Sequence, residues 1–349
     1  MKISDLELYL VEVPRSAPLR AARNLLVRLT TDSGLEGWGE AAVPWRASEL
    51  SARRDRLMAT LAGRSVFDIE ERLSLDLLQS APLACALEIA SWDVIGRAAS
   101  QPVCHFFGGV YRNRIPVAAR LPSQSPGEAA RLAKELAELG FHKQIVTAHG
   151  SAQHDAATVA AVREAAGDRA DLYFDGAAGY DRQSALDLCA QLGRSGLTLF
   201  IDPLRQASFE DLAALRREIR LPLGISMALS NAADVLAVVR CRAAEFIFVD
   251  PQRVGGMVPA RKCAAVAEAA SMSAALAAPG SVGVLLAAAL QLGASTPAFA
   301  SGIESDYHQL HDDVLAEPIR IVDGMIPVPH GKGLGIEVDR AKLERFQAA

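Results

Sequence analysis

Short apolar runs return along most of the chain at a steady interval. From about residue 115 they are IPVAARL (115–121), KQIVTA (143–148), LYFD (172–175), LTLFID (197–202), LPLGIS (221–226), EFIFVD (245–250) and SAALAA (273–278), with a weaker candidate near FASGIE (299–304). They recur about every 23 to 30 residues, and alanine- and leucine-rich segments with helical spacing lie between them; EAARLAKELAEL (128–139) is the clearest. Strands alternating with helices predict βαβ units and a parallel sheet. Eight repeats at this period predict a modified (β/α)8 TIM-type barrel rather than an open sheet.

The first hundred residues have a different rhythm. ISDLELYLVEV (3–13) and LLVRLTT (25–31) are β-rich, and DSG (32–34) is a turn signal before LEGWGEA, which predicts a small antiparallel meander. In ACALEIASWDVIGRAA (84–99) apolar side chains recur at three and four, the period of a helix. The tail IRIVDGMIPVPHGKGLGIEVD (319–339) reads as strand–turn–strand. The expected organisation is an α+β capping domain over 1–112, the barrel over 113–318, and a carboxyl-terminal segment over 319–349 that packs back on the cap.

Composition supports this picture and narrows the partners. Half of the 349 residues are hydrophobic and 22% are charged, ample for a large core. A net charge of −5 without a basic run gives nucleic acid no electrostatic footing. No apolar run reaches membrane-spanning length, and no leader pattern opens the chain. Cys85, Cys104, Cys189, Cys241 and Cys263 are scattered without metal-like spacing and read as buried thiols of a reducing compartment. The expectation is a cytoplasmic protein that handles a small molecule.

In such a barrel, side chains at the carboxyl ends of the strands face the active site. The polar residues there are Thr147, His149, Asp175, Asp202, Ser226, Asp250 and Glu304. Any one aspartate at a strand end reads equally as a loop starter or a helix N-cap. Three on one rim point to a site. In the capping region Arg15, Arg20, Arg23 and Arg46 are candidates to meet an anionic ligand, with solvated loop arginines as the plainer reading.

Several motifs in order carry a family resemblance. TTDSGLEGWGEA, ALEIASWDVIGRAASQPVCHFFGG, VREAAGDRADLYFDGAAGY, VDPQRVGGM and IVDGMIPVPHGKGLGIEVD resemble segments of the enolase superfamily, mandelate racemase/muconate lactonizing branch, over nearly the full length. The resemblance implies Mg2+ held by carboxylates on three consecutive strand ends, an enediolate chemistry, and a homo-oligomer. Carried over residue by residue, it assigns the first metal ligand to Asp175. The second falls on Ile201 and the third on Ser226 or Met227. The expected Asn is Ala177, the Lys-x-Lys bases are missing from 145–148, and the histidine expected to pair with Asp250 falls at Gly280. Lys143 stands too early on its strand and reads as a bottom-of-barrel or snorkelled residue.

One ligand of three predicts no Mg2+ site, with Asp175 as a remnant and no cofactor, and leaves Mg2+-dependent racemase, dehydratase or cycloisomerase chemistry as the lesser alternative. The leading expectation is a metal-independent acid–base isomerase or lyase using Asp250, Glu304, His149 and Asp202, with Arg20, Arg23, Arg46, Thr147 and Ser226 binding substrate. The competing one is a non-catalytic small-molecule binder. Along LTLFIDPL, strand alternation places Asp202 as a loop starter or barrel-wall residue.

Overall fold

Alternating side chains in the first segment fold onto a helix, and glycine lets them approach closely. A computed structural model of the chain describes residues 1–75, 79–122, 125–193 and 195–348. Strands β1 (Ile3–Val13), β2 (Ala22–Thr31) and β3 (Glu36–Ala41) form an antiparallel meander, and DSG turns the second hairpin as the sequence predicts. The helix Ala81–Ala98 lies across β3. A Cβ on Gly39 would sit 1.8 Å from the Ala86 carbonyl oxygen, so the glycines of EGWGEA are what let strand and helix touch.

The barrel follows. Among the described residues, β4 (Arg114–Leu121), β5 (Lys143–Thr147), β6 (Asp171–Asp175), β7 (Leu199–Ile201), β8 (Leu223–Ile225), β9 (Phe246–Val249), β10 (Ser273–Ala277) and β11 (Ile303–Ser305) run parallel in sequence order, and β11 pairs with β4 to close the ring. Every run predicted from the sequence overlaps its strand; β4, β6 and β11 each extend one residue beyond their run, and the other five lie within theirs. Helices separate successive strands; the helix Pro126–Glu138 starts on a Ser125–Glu128 capping box. After β11 the chain does not make an eighth long helix; a single short turn at Tyr307–Gln309 leads it back toward the cap.

Inward side chains fill the barrel: Ala118, Ile145, Tyr173, Leu199, Ile201, Phe246, Phe248, Ala275 and Ala277 form one buried cluster. This packing sets the face on which every strand-end residue points. Lys143, on the inward face at the amino end of β5, donates to the Ser301 carbonyl at 3.0 Å, and burial lowers its pKa. It lies at the floor, as its early position predicts.

The tail departs from the strand–turn–strand expectation. Only β12 (Met325–Pro327) is a strand, and it pairs antiparallel with the start of barrel strand β4. Prolines 318, 327 and 329 withhold amide donors, so a longer ladder does not form. Beyond it, Leu334 donates its amide to Asp93 of the cap helix, and Ala348 donates to the Leu10 carbonyl of β1. No helix among the described residues is long and apolar enough to cross a membrane.

Candidate functional site

Strand parity decides which side chains meet at the carboxyl end of the barrel. On β4, Ala118 points inward, so Arg120 does as well; on β11, Glu304 shares that face; on β6, Tyr173 and Asp175 do. Arg120, unremarked within the run IPVAARL, is the centre of the site. Its Nη1 donates to Asp175 Oδ2 at 2.6 Å and to Thr147 Oγ1 at 3.1 Å. Its Nε and Nη2 both donate to Glu304 Oε1, at 2.9 and 2.6 Å. The Arg120 carbonyl accepts from Gln309 Nε2 at 2.6 Å, which pins the strand end.

The electrostatics follow from this arrangement. Burial works against the charged guanidinium, but Glu304 and Asp175 outweigh it and hold its pKa above the ordinary value. Glu304 lies almost wholly out of water; burial raises its pKa even though Arg120 pulls the other way. The guanidinium therefore keeps its proton, and any proton shared within the cluster sits on a carboxyl group. Asp175 also accepts the Ala177 amide at Oδ1, 2.7 Å away, so each of its oxygens already has a donor. Ala177 and Ala178 adopt left-handed φ values of 49° and 52° to make that turn.

Asp250 and Asp202 flank this triad. Asp250 caps the short turn Pro251–Val254 by accepting the Gln252 amide at Oδ1, 2.9 Å. Burial pushes its pKa up to about 7, with Glu304 adding to the rise. Asp202 is neither exposed nor on the strand's inward face. It turns at φ 42°, and its two oxygens accept the amides of Ser226 and Met227 at 3.0 Å each, bracing the loop after β8. Burial pushes it to about 7 against those amides, with Asp175 and Glu304 contributing. The wall residue beside it is Ile201, fully buried in the barrel interior.

The remaining sequence candidates separate. Thr147 joins the site as a partner of Arg120, and Ser226 reaches it through its backbone. His149 is set apart: it is exposed, its amide donates to Asp155 at 2.7 Å, and its ring lies 4.4 Å from that of His154. Arg20 and Arg46 are exposed on the cap, and Arg23 is engaged by Glu12 at 2.8 Å and the Trp45 carbonyl at 2.7 Å. The cap arginine that reaches the barrel is Arg15, paired with Asp306 at 2.6 Å; Asp306 also accepts the Gly280 amide at 2.8 Å. A Cβ on Gly280 would meet open space. A cavity of about 620 Å³ lies elsewhere, along the carboxyl-terminal segment between Ile319 and Ile336, and includes none of these residues.

The arrangement can hold a polar ligand against one fixed cation and move protons through carboxyl groups. No hydrogen bond from a described residue occupies Asp250 Oδ2 or Glu304 Oε2. Among the described residues, no group of three or more His, Cys, Asp or Glu side chains is placed to hold a metal ion.

Comparison with known proteins matches both halves of the chain. Residues 7–108 match the mandelate racemase/muconate lactonizing enzyme N-terminal domain, and residues 128–342 match the enolase C-terminal domain-like family. Muconate cycloisomerase 1 of Rhodococcus opacus is 28% identical, with 97% of this chain and 96% of that protein covered. The N-succinyl-L-Arg/Lys racemase of Bacillus cereus is 25% identical over 78% of each. A crystal structure of an isomerase from Streptomyces coelicolor A3(2) superposes with a TM-score of 0.87 at 28% identity, covering 99% of this chain and 98% of that one.

Proposed function

Because the chain belongs to the mandelate racemase/muconate lactonizing enzyme family, we propose that it is an acid–base isomerase or lyase acting on a small organic acid at the barrel mouth without a bound metal. The observation that carries this reading is the placement of Asp250 within the field of Glu304, which itself holds the Arg120 guanidinium, with one carboxyl oxygen on each of the two acids free of hydrogen bonds from described residues. Asp250 Oδ2 takes a proton from the substrate carbon. Glu304 Oε2, in a group whose pKa burial raises, returns one to the position where the new C–H bond forms. One proton leaves and one arrives, so isomerisation needs no further reactant. Arg120 offers its remaining Nη2 proton to the oxygen on which negative charge develops. Asp202 positions the loop after β8, since both of its oxygens are already bonded.

The donor set does not fit Mg2+ held as the family resemblance implies. Mg2+ asks for several oxygen ligands in near-octahedral order. Of the assigned positions, Ile201 supplies no lone pair, Ser226 offers a hydroxyl and Met227 a thioether, and Asp175 is already paired with Arg120. Without a metal, the substrate must bring its own activation, such as a ketone or a conjugated system beside the labile proton.

The relatives' names favour a second reading, metal-assisted cycloisomerisation or racemisation at the same mouth. One experiment separates the two: ¹H NMR in D2O of a panel of 2-keto and unsaturated acids, with EDTA or with Mg2+. The metal-independent reading expects exchange or isomerisation that EDTA leaves intact and that Asp250→Asn lowers about 10²- to 10⁴-fold. Activity that appears only with Mg2+ overturns it. Ligands that stabilise the protein and stay chemically unchanged mark a binder.

A further inference from the structure

We infer that Arg120 is the resident cation of the barrel mouth: a guanidinium carried by the first barrel strand holds Asp175 and Glu304 together and bars a divalent ion from Asp175. The inference deepens the metal-independent reading above and rests on it for its chemistry, but its geometry stands alone. The guanidinium has five N–H donors. Two go to Glu304 Oε1, one to Asp175 Oδ2 and one to Thr147 Oγ1, leaving one on Nη2. Asp175 Oδ1 is closed by the Ala177 amide. A divalent ion at Asp175 would have to displace the Arg120 contact, and the displaced guanidinium would then lie buried beside a like charge. Gln309 pins the Arg120 backbone through its carbonyl, and the side chain sits on the same inward face as Ala118, which aims the guanidinium at Asp175 and Glu304.

The same count of charges narrows the ligand class. One guanidinium faces two carboxylates in direct contact, with Asp250 and Asp202 close by. The guanidinium is already shared by two carboxyl groups, so it has no second free face with which to neutralise a doubly charged acid. The single open N–H instead suits one carbonyl or carboxylate oxygen. The substrate class is a singly charged carbonyl acid rather than a dicarboxylate.

The test uses Mn2+ as the probe, read by the EPR signal of the free ion, on the full-length protein. Wild-type protein is expected to leave Mn2+ free at about 1 mM. Arg120→Ser, which uncovers Asp175, Glu304 and Thr147, is expected to bind one Mn2+ at least ~10-fold more tightly than wild type. Adding Asp175→Asn is expected to abolish that gain, and Arg120→Lys, which keeps the charge, to show none. Circular dichroism identifies any variant that fails to fold, and Arg120→Lys with wild type then still decides the matter. Wild-type binding that Asp175→Asn removes overturns the inference, as does a folded Arg120→Ser protein that gains nothing. Absence of proton exchange in the NMR experiment, with this Mn2+ pattern intact, sinks the acid–base reading and leaves Arg120's role standing.

Discussion

Two sets of buried carboxyl groups sit in this molecule, and they differ in what they face. At the barrel mouth Glu304 lies in the field of both Asp175 and Asp250, with Arg120 bridging Asp175 and Glu304. At the seam between cap and barrel, Glu40, Glu88 and Asp93 face backbone amides. Glu40 accepts the amides of Val282 and Leu285 at 2.6 and 2.7 Å and the Ser281 hydroxyl at 3.0 Å, at the start of the helix Val284–Ser295. Glu88 does the same for Met257 and Val258 at the start of the helix Met257–Ala269. Asp93 takes the Trp38 and Leu334 amides and pairs with Arg97. Burial pushes Glu40 and Glu88 up to about 7, as it does Asp202 and Asp250. Burial and a raised pKa therefore do not mark the site. What marks it is side chains converging from separate strands with oxygens left unbonded, whereas backbone amides, at helix amino ends for Glu40 and Glu88, saturate the seam groups.

The largest expected effect tests that distinction directly. Glu40→Ala orphans two amides and a hydroxyl in a dry seam and should cost about 3–5 kcal/mol in urea unfolding. Asp250→Ala, which gives up one amide contact, should cost about 1–2 kcal/mol. Equal losses would make the mouth another structural seam and break the comparison. Next in size, Arg120→Met strands Asp175 and Glu304 beside each other and should cost about 3 kcal/mol. Adding Glu304→Gln should recover at least ~1 kcal/mol, because the two residues are directly coupled. Simple additivity in the same unfolding measurement would show that the triad is not one unit.

Stability should also fall as pH rises. A carboxyl group whose folded pKa is raised keeps its proton in the native state after the unfolded chain has lost its own. Below the ordinary values of 3.8 and 4.5 both states are protonated and nothing is gained or lost; from there to about 7 stability declines, and above 7 it levels off. Thermal melts across pH 4 to 8 check the sign. Glu40→Gln and Asp250→Asn should each flatten the slope by a similar share, while only Asp250→Asn should reduce proton exchange. A variant at the seam that reduced exchange without loosening the cap would blur the two sets.

The mouth was largely legible in the sequence because period-two alternation marks where each strand ends and which residue follows. Asp175, Asp250 and Glu304 emerge that way. Arg120 does not, since it lies one residue inside an apolar run and reads as strand body. The signal available was parity: Ala118 and Arg120 share a face, and a cation on the narrow inner face of a small-residue strand needs an anion opposite. The seam was not legible at all. The partners of Glu40 and Glu88 are amides more than 160 residues away, and an amide carries no side-chain signature. His149 misled because strand-end position alone was its credential, and the loop carries it outward to His154.

Asp202 stands between the two sets, and the smallest prediction concerns it. Like a seam group, it spends both oxygens on backbone amides; like a mouth group, it lies within the field of Asp175 and Glu304. Its φ of 42° is strained for most side chains but tolerated by asparagine. Asp202→Asn keeps one acceptor and the backbone geometry, and loses a carboxyl group that costs free energy to ionise there. The two effects oppose, so the change in unfolding free energy should stay under ~1 kcal/mol, against about 2 kcal/mol for Asp202→Ala, which loses both amide contacts and keeps the strain. If exchange survives in Asp202→Asn while Asp250→Asn abolishes it, Asp202 belongs with the braces. If exchange collapses in a fully stable Asp202→Asn protein, the proton pathway includes Asp202, and the border between the two sets runs through the loop after β8.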